Sequence, residues 1–132
     1  DTWENATIIE NAGADAEGVV LSTFFDEAAP ANDEAASFIK GFKEYLVSIG
    51  EPDIIPAVSA LGYDAYLCLL QAIKDADSTD PAAVRDALEN VSVTGVTGDI
   101  TFNETGDANK SLAFIKTIKD GQFQFLTTTT LE

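Results

Sequence analysis

The stretch "GVVLSTFF" at residues 18–25 decides how this chain is read. Branched and aromatic side chains come one after another there with little polar relief. A run of that length and composition predicts a strand buried on both faces of a sheet. Such a strand needs neighbouring strands beside it and helices above and below it. The question is whether the rest of the chain supplies them.

Helices are plentiful. Residues 4–12 predict a short helix, with Gly13 as its C-terminal cap. After the strand, "DEAAPAND" at residues 26–33 is a polar turn around Pro30, and Asn32 or Asp33 can cap the helix after it. That helix carries Ala35, Phe38, Ile39, Phe42, Tyr45, Leu46 and Ile49 in steps of three and four, and Gly50 ends it. "EPDIIPAV" at residues 51–58 is a Pro-bounded connector with room for a very short strand. "SALGYDAYLCLLQAIKDA" at residues 59–76 is apolar almost all round, which predicts a helix packed on more than one side. A further helix restarts with Asp80 as cap, Pro81 in its first turn, and Val84, Ala87 and Leu88 facing inward.

Strands return only after Asn90. "VTGDITFN" at residues 96–103 alternates Ile100 and Phe102 with polar neighbours, and "ETGDANKS" at residues 104–111 is a loop. "LAFIKTIKDGQFQFLTTTT" at residues 112–130 predicts a hairpin turned at Asp120-Gly121. One strand before three helices, and a ribbon after them, is too little for a sheet built by right-handed crossovers. The expected class is therefore α/β with an incomplete sheet and a C-terminal β-hairpin. Its remaining strands are expected from elsewhere in a longer protein or from a partner.

Composition narrows the chemistry. The 132 residues carry 23 acidic against 7 basic side chains, a net charge of −16. That excludes nucleic acid and anionic membrane surfaces as partners, since both need clustered Lys and Arg. There is no histidine, which removes the commonest general base and metal ligand. Cys68, the single cysteine, sits in "AYLCLLQAI" and reads as a core residue. The oxygen donors of "FNETGDANKS" do not match the spacing of a calcium loop, so that stretch reads as an acidic turn. No catalytic residue, metal site or cofactor motif is predicted.

Three residues remain as candidates for a ligand site. Asp1 and Trp3 place a carboxylate and an aromatic ring just ahead of a helix, a pair able to hold an ammonium group. Read locally, the same residues also fit a plain surface terminus. Tyr63, in "GYDAY", either lines a cleft or packs with its hydroxyl at the rim.

The order of these phrases resembles the C-terminal portion of bacterial extracellular solute-binding proteins of ABC transporters, in particular the branched-chain amino acid (Leu/Ile/Val) subgroup. The resemblance rests on Ala12 with Ala16-Glu17-Gly18 before the strand and on Tyr63-Asp64-Ala65. It rests also on Gly95, Gly98, Ile100 and Phe102, with Thr105-Gly106-Asp107-Ala108 after them. It implies part of a type I periplasmic binding protein fold, two α/β lobes of parallel sheets flanked by helices and joined by three crossing segments. Residues 1–24 would end one lobe and form a crossing strand. Residues 25–95 would be the helical portion of the other lobe, and residues 96–132 a second crossing strand and the returning hairpin. Asp1 would receive the α-ammonium of an amino acid, with Trp3 beside it.

The implied function is capture of an amino acid for a membrane permease, without catalysis and without a cofactor. The implied location is extracellular or periplasmic, lipid-anchored or secreted. The N-terminal part of the same receptor, or a second copy, would complete the sheet. The alternatives are an assembly module that dimerises or pairs with a separate N-terminal piece, and a ligand-sensing domain of the same fold.

Overall fold

The computed structural model of the protein describes residues 3–130. Helix α1 (Ala6–Ala12) starts behind Asn5, whose side chain accepts the Thr7 N–H at 2.9 Å, and Gly13 at φ +57° ends it. A 3-10 turn (Gly13–Ala16) leads to strand β1 (Val20–Thr23). Three helices come next, α2 (Asp33–Ser48), α3 (Ala57–Ala76) and α4 (Pro81–Leu88). The chain then makes β2 (Val93–Gly95), β3 (Gly98–Phe102), β4 (Ala108–Asn109), β5 (Leu112–Lys119) and β6 (Gln122–Thr130). The connector at residues 51–58 holds no strand; it contributes a buried Ile55 and leads into α3.

The strands form two three-stranded sheets, in the orders β1-β5-β6 and β2-β3-β4. Every pairing among the described residues is antiparallel. Here the expectation for residues 18–25 needs correcting. The strand is shorter than predicted and not buried on both faces: Val20 is 60% exposed, while Thr23 and Phe25 are buried. Among the described residues β1 pairs with β5 alone, and no element covers the face that carries Val20. The hairpin between β5 and β6 turns at Asp120 and Gly121, both at positive φ (53° and 71°), as a two-residue turn of matching twist requires. Glu17 accepts the N–H groups of both turn residues, tying the hairpin tip to the start of β1.

Two hydrophobic clusters lie along α3. Ala57 and Ala60 join Phe25, Ala35, Ile55 and Val96 in one; Cys68 and Ala72 join Val84, Val91 and Ile100 in the other. The alanines let neighbouring backbone come close. Between the two clusters sits Asp64, 3% exposed. Its Oδ1 accepts the Val96 N–H at 2.7 Å, and its Oδ2 accepts the Thr97 N–H at 2.9 Å and the Thr97 hydroxyl at 2.5 Å. A buried carboxylate is tolerable only when so satisfied. Gly95 makes the approach possible, because a Cβ there would lie 2.6 Å from Asp64 Cγ. Lys110 extends the network by donating to Thr97 Oγ1.

Asn32 holds the same segment through the Gly95 carbonyl. Its Oδ1 caps α2 by accepting the Ala35 N–H at 2.8 Å, and its Nδ2 donates to the Gly95 carbonyl at 2.9 Å. This resolves the choice of cap left open by the sequence. Both Asn32 and Asp33 could accept at the helix start, but an ionised aspartate has no hydrogen to give Gly95.

Replacing Asp64 by Ala should strand two buried N–H groups and destabilise the fold by about 3 kcal/mol or more, read as a lower urea midpoint. Gly95→Ala should also destabilise the chain, by about 1–3 kcal/mol, because the Asp64 carboxylate must give way.

Candidate functional site

The chain passes from the β1 sheet to the helical layer at residues 24–32 and returns at residues 110–111. The first passage is anchored from both ends. Asp26 turns it, accepting the Ala28 N–H at 2.7 Å and lying 2.8 Å from the Lys116 ammonium of β5. The next residue, Glu27, faces the helices: it accepts from Lys43 of α2 at 3.1 Å and from the Ile55 N–H at 3.2 Å. Adjacent carboxylates thus grip opposite layers.

Lys116 also donates to Glu4, in the short loop ahead of α1. The period-two alternation of β5 puts Phe114, Lys116 and Ile118 on one face, and all three are buried. The Lys116 side chain is only 7% exposed, and its partners Glu4 and Asp26 are 9% and 4% exposed. Burial by itself disfavours the lysine's charge. Hydrogen bonds to Asp26 and Glu4, and the charges of both, overcome this and raise its pKa above the ordinary value. Glu4 Oε2 and Thr23 Oγ1 are buried and have no hydrogen-bond partner among the described residues.

Of the three predicted ligand residues, Trp3 and Tyr63 fall among the described residues, and no contact joins those two. Asp1 lies outside the described residues. Trp3 is 59% exposed, and its carbonyl accepts the Asn5 N–H at 2.9 Å, so residues 3–5 form a tight turn beside Glu4. Tyr63 is half-buried, its ring 4.9 Å from that of Phe38 and its hydroxyl 3.4 Å from Glu34 Oε1. Partial burial, then the charge and hydrogen bond of Glu34, raise the Tyr63 pKa. The partners of Tyr63 come from α2, not from the loop of Trp3. Trp3 and Tyr63 also lie outside an open concavity of about 680 Å³ between α4 and the β3–β4 turn, bordered by Arg85, Asn90, Phe102 and Glu104.

Sequence reasoning missed Glu4, Asp26 and Lys116. The available signal was Lys116 itself, a charge at an inward position of an otherwise apolar strand, which demands buried partners. The acidic turn closes on itself: Asn103 Oδ1 accepts the N–H groups of Thr105 and Asp107 at 3.0 and 2.9 Å. Cys68 is buried, and desolvation, then the Asp64 charge, push its thiol above the ordinary range, which disfavours a nucleophilic thiolate. Among the described residues no group of three or more His, Cys, Asp or Glu is arranged to hold a metal ion.

Lys116→Met should leave two buried carboxylates unpaired and cost about 3–5 kcal/mol near neutral pH. Because the folded lysine has a raised pKa, its contribution is complete below the unfolded value near 10.4 and is lost as pH climbs through the folded one. The stability gap between wild type and variant in urea should therefore be constant from about pH 7 to pH 9 and narrow above about pH 10.4.

Comparison with known proteins places this architecture. A family model described as periplasmic binding protein matches residues 3–122. Among solved structures, a leucine-binding protein from Thermotoga maritima is 31% identical, with a TM-score of 0.80 over 96% of this chain and 35% of that one. An ABC transporter substrate-binding protein from Desulfitobacterium hafniense, in complex with Leu, is 30% identical, with a TM-score of 0.69 over 84% of this chain and 32% of that one. LivJ from Streptococcus pneumoniae, in complex with isoleucine, shares the fold at 19% identity, with a TM-score of 0.74 over 96% of this chain and 34% of that one. No curated protein matches the sequence significantly. The chain spans about a third of the length of these solved relatives. Its two small sheets and the helices between them are part of the type I periplasmic binding protein fold. The match over residues 3–122 and the shared backbone together show that the chain belongs to the periplasmic binding protein family.

Proposed function

We propose that this chain is the C-terminal portion of an extracellular or periplasmic receptor that captures an amino acid, branched-chain by preference, and delivers it to the permease of an ABC transporter. The observation that carries the reading is the likeness to the leucine-binding protein of Thermotoga maritima, at 31% identity and a TM-score of 0.80. A second solved relative, 30% identical, holds Leu. The role is binding without catalysis. A raised Cys68 pKa and the absence of histidine from the sequence fit that role.

In this reading residues 1–24 close one lobe and lead into the crossing. Residues 25–95 supply helices to the second lobe, and residues 96–132 carry the chain back, with the return at residues 110–111. Asp1 receives the ligand's α-ammonium, and Trp3 offers a ring face beside it. Tyr63 borders the cleft from α3, its hydroxyl at the rim against Glu34. The grip on the α-carboxylate and most of the side-chain pocket belong to parts of the receptor beyond this chain.

Titration calorimetry of the full-length protein with leucine, isoleucine and valine tests the proposal. At least one should bind, and Asp1→Ala should weaken it about tenfold or more, the loss expected for one charge-assisted contact. Trp3→Ala should weaken it less. No heat with any of the three would overturn the ligand class, and unchanged affinity in Asp1→Ala would overturn that residue's role.

A further inference from the structure

Lys116 joins two parts of the chain that a binding receptor must coordinate. Glu4 comes directly after Trp3, in the turn closed by the Asn5 N–H to the Trp3 carbonyl. Asp26 opens the passage between the layers, two residues upstream of the Ala28 N–H it caps. One ammonium holds both carboxylates, across a separation of 112 residues from Glu4 to Lys116. The Glu4 carboxylate depends on it heavily, since its second oxygen is buried without a partner among the described residues. Surface ion pairs contribute little and come apart easily, but a desolvated one fixes geometry, because opening it exposes uncompensated charge to a dry interior.

We infer that Lys116 is a positioning residue for ligand capture: through Glu4 it sets the loop that carries Trp3, and through Asp26 it keeps that loop in register with the first interlayer passage. The inference rests on the proposed amino acid binding for its consequence, but not for its geometry. Glu27 provides the contrast. It anchors the same passage to α2 through Lys43 and to the Ile55 N–H, with no contact to Glu4 or Lys116.

Trp3 is the single tryptophan of the chain, so its fluorescence reports on this loop alone wherever no other tryptophan is present. Time-resolved anisotropy is measured on the full-length receptor, with any tryptophan outside this chain replaced by phenylalanine, for wild type, Glu4→Gln, Asp26→Asn and Glu27→Gln, each checked by circular dichroism for a folded state. Glu4→Gln keeps the shape of the side chain and leaves the Lys116–Asp26 pair intact, so it disturbs the fold less than Lys116→Met. The amplitude of fast local motion at Trp3 should rise in Glu4→Gln and Asp26→Asn and stay at the wild-type value in Glu27→Gln. Equal anisotropy in all four proteins, or a rise in Glu27→Gln alone, would overturn the positioning role. In the full-length receptor the first two variants should bind the preferred amino acid about tenfold more weakly. If wild type binds no amino acid, the proposed function fails while the anisotropy result still decides the role of Lys116.

Discussion

The buried carboxylate of Asp64 organises the chain. It stands at the middle of α3, between two apolar clusters, and takes hydrogen bonds from two consecutive backbone N–H groups and one hydroxyl. Without those three donors a carboxylate at that depth would be severely destabilising. With them it fixes where residues 95–97 lie, and hence where the β2-β3-β4 sheet sits on the helices. Gly95 is the steric condition for this arrangement, Asn32 grips the same residue from the start of α2, and Lys110 ties in the return passage through Thr97. Elements far apart in sequence thus meet at one short segment.

A second polar knot, around Lys116, serves the other sheet. The two knots have the same logic. Each places a charge where β or helical periodicity would normally put an apolar side chain, and each uses it to hold segments that cannot be joined by hydrophobic contact alone. Each also draws one partner from a passage between layers, Asp26 in one and Lys110 in the other. Asp26 and Glu27 divide one passage between the two layers, and Lys110 holds the other. The buried pairs give both passages fixed ends.

Local patterns in the sequence are enough to place most elements. The three helices, the Asp80 cap of α4 and the Asp-Gly hairpin come from periodicity and turn chemistry, which act over a few residues and survive the removal of context. Tyr63-Asp64-Ala65 and the glycines at 95 and 98 point to the right family, although the physical work of those residues is not legible in the sequence. That Asp64 is a clamp depends on which backbone it meets 32 residues later, and no spacing rule encodes that. Residues 18–25 meet a related limit. Composition reports that a strand is apolar, whereas its burial depends on neighbours, and β1 has only β5 beside it among the described residues. Lys116 betrays itself by its inward place in the β5 alternation, but Glu4 and Asp26 look like ordinary surface charges until the fold brings them to it.

Hydrogen exchange by NMR at the Val96 and Thr97 amides is the sharpest test of the role of Asp64. Both amides lie beyond the end of β2, where a loop would ordinarily exchange fast. If the Asp64 carboxylate organises the junction, they should be protected as strongly as Cys68 and Ala72 in the buried core of α3, and should open only with the whole fold. Exchange at the rate of an exposed loop, with the α3 amides still protected, would contradict that role.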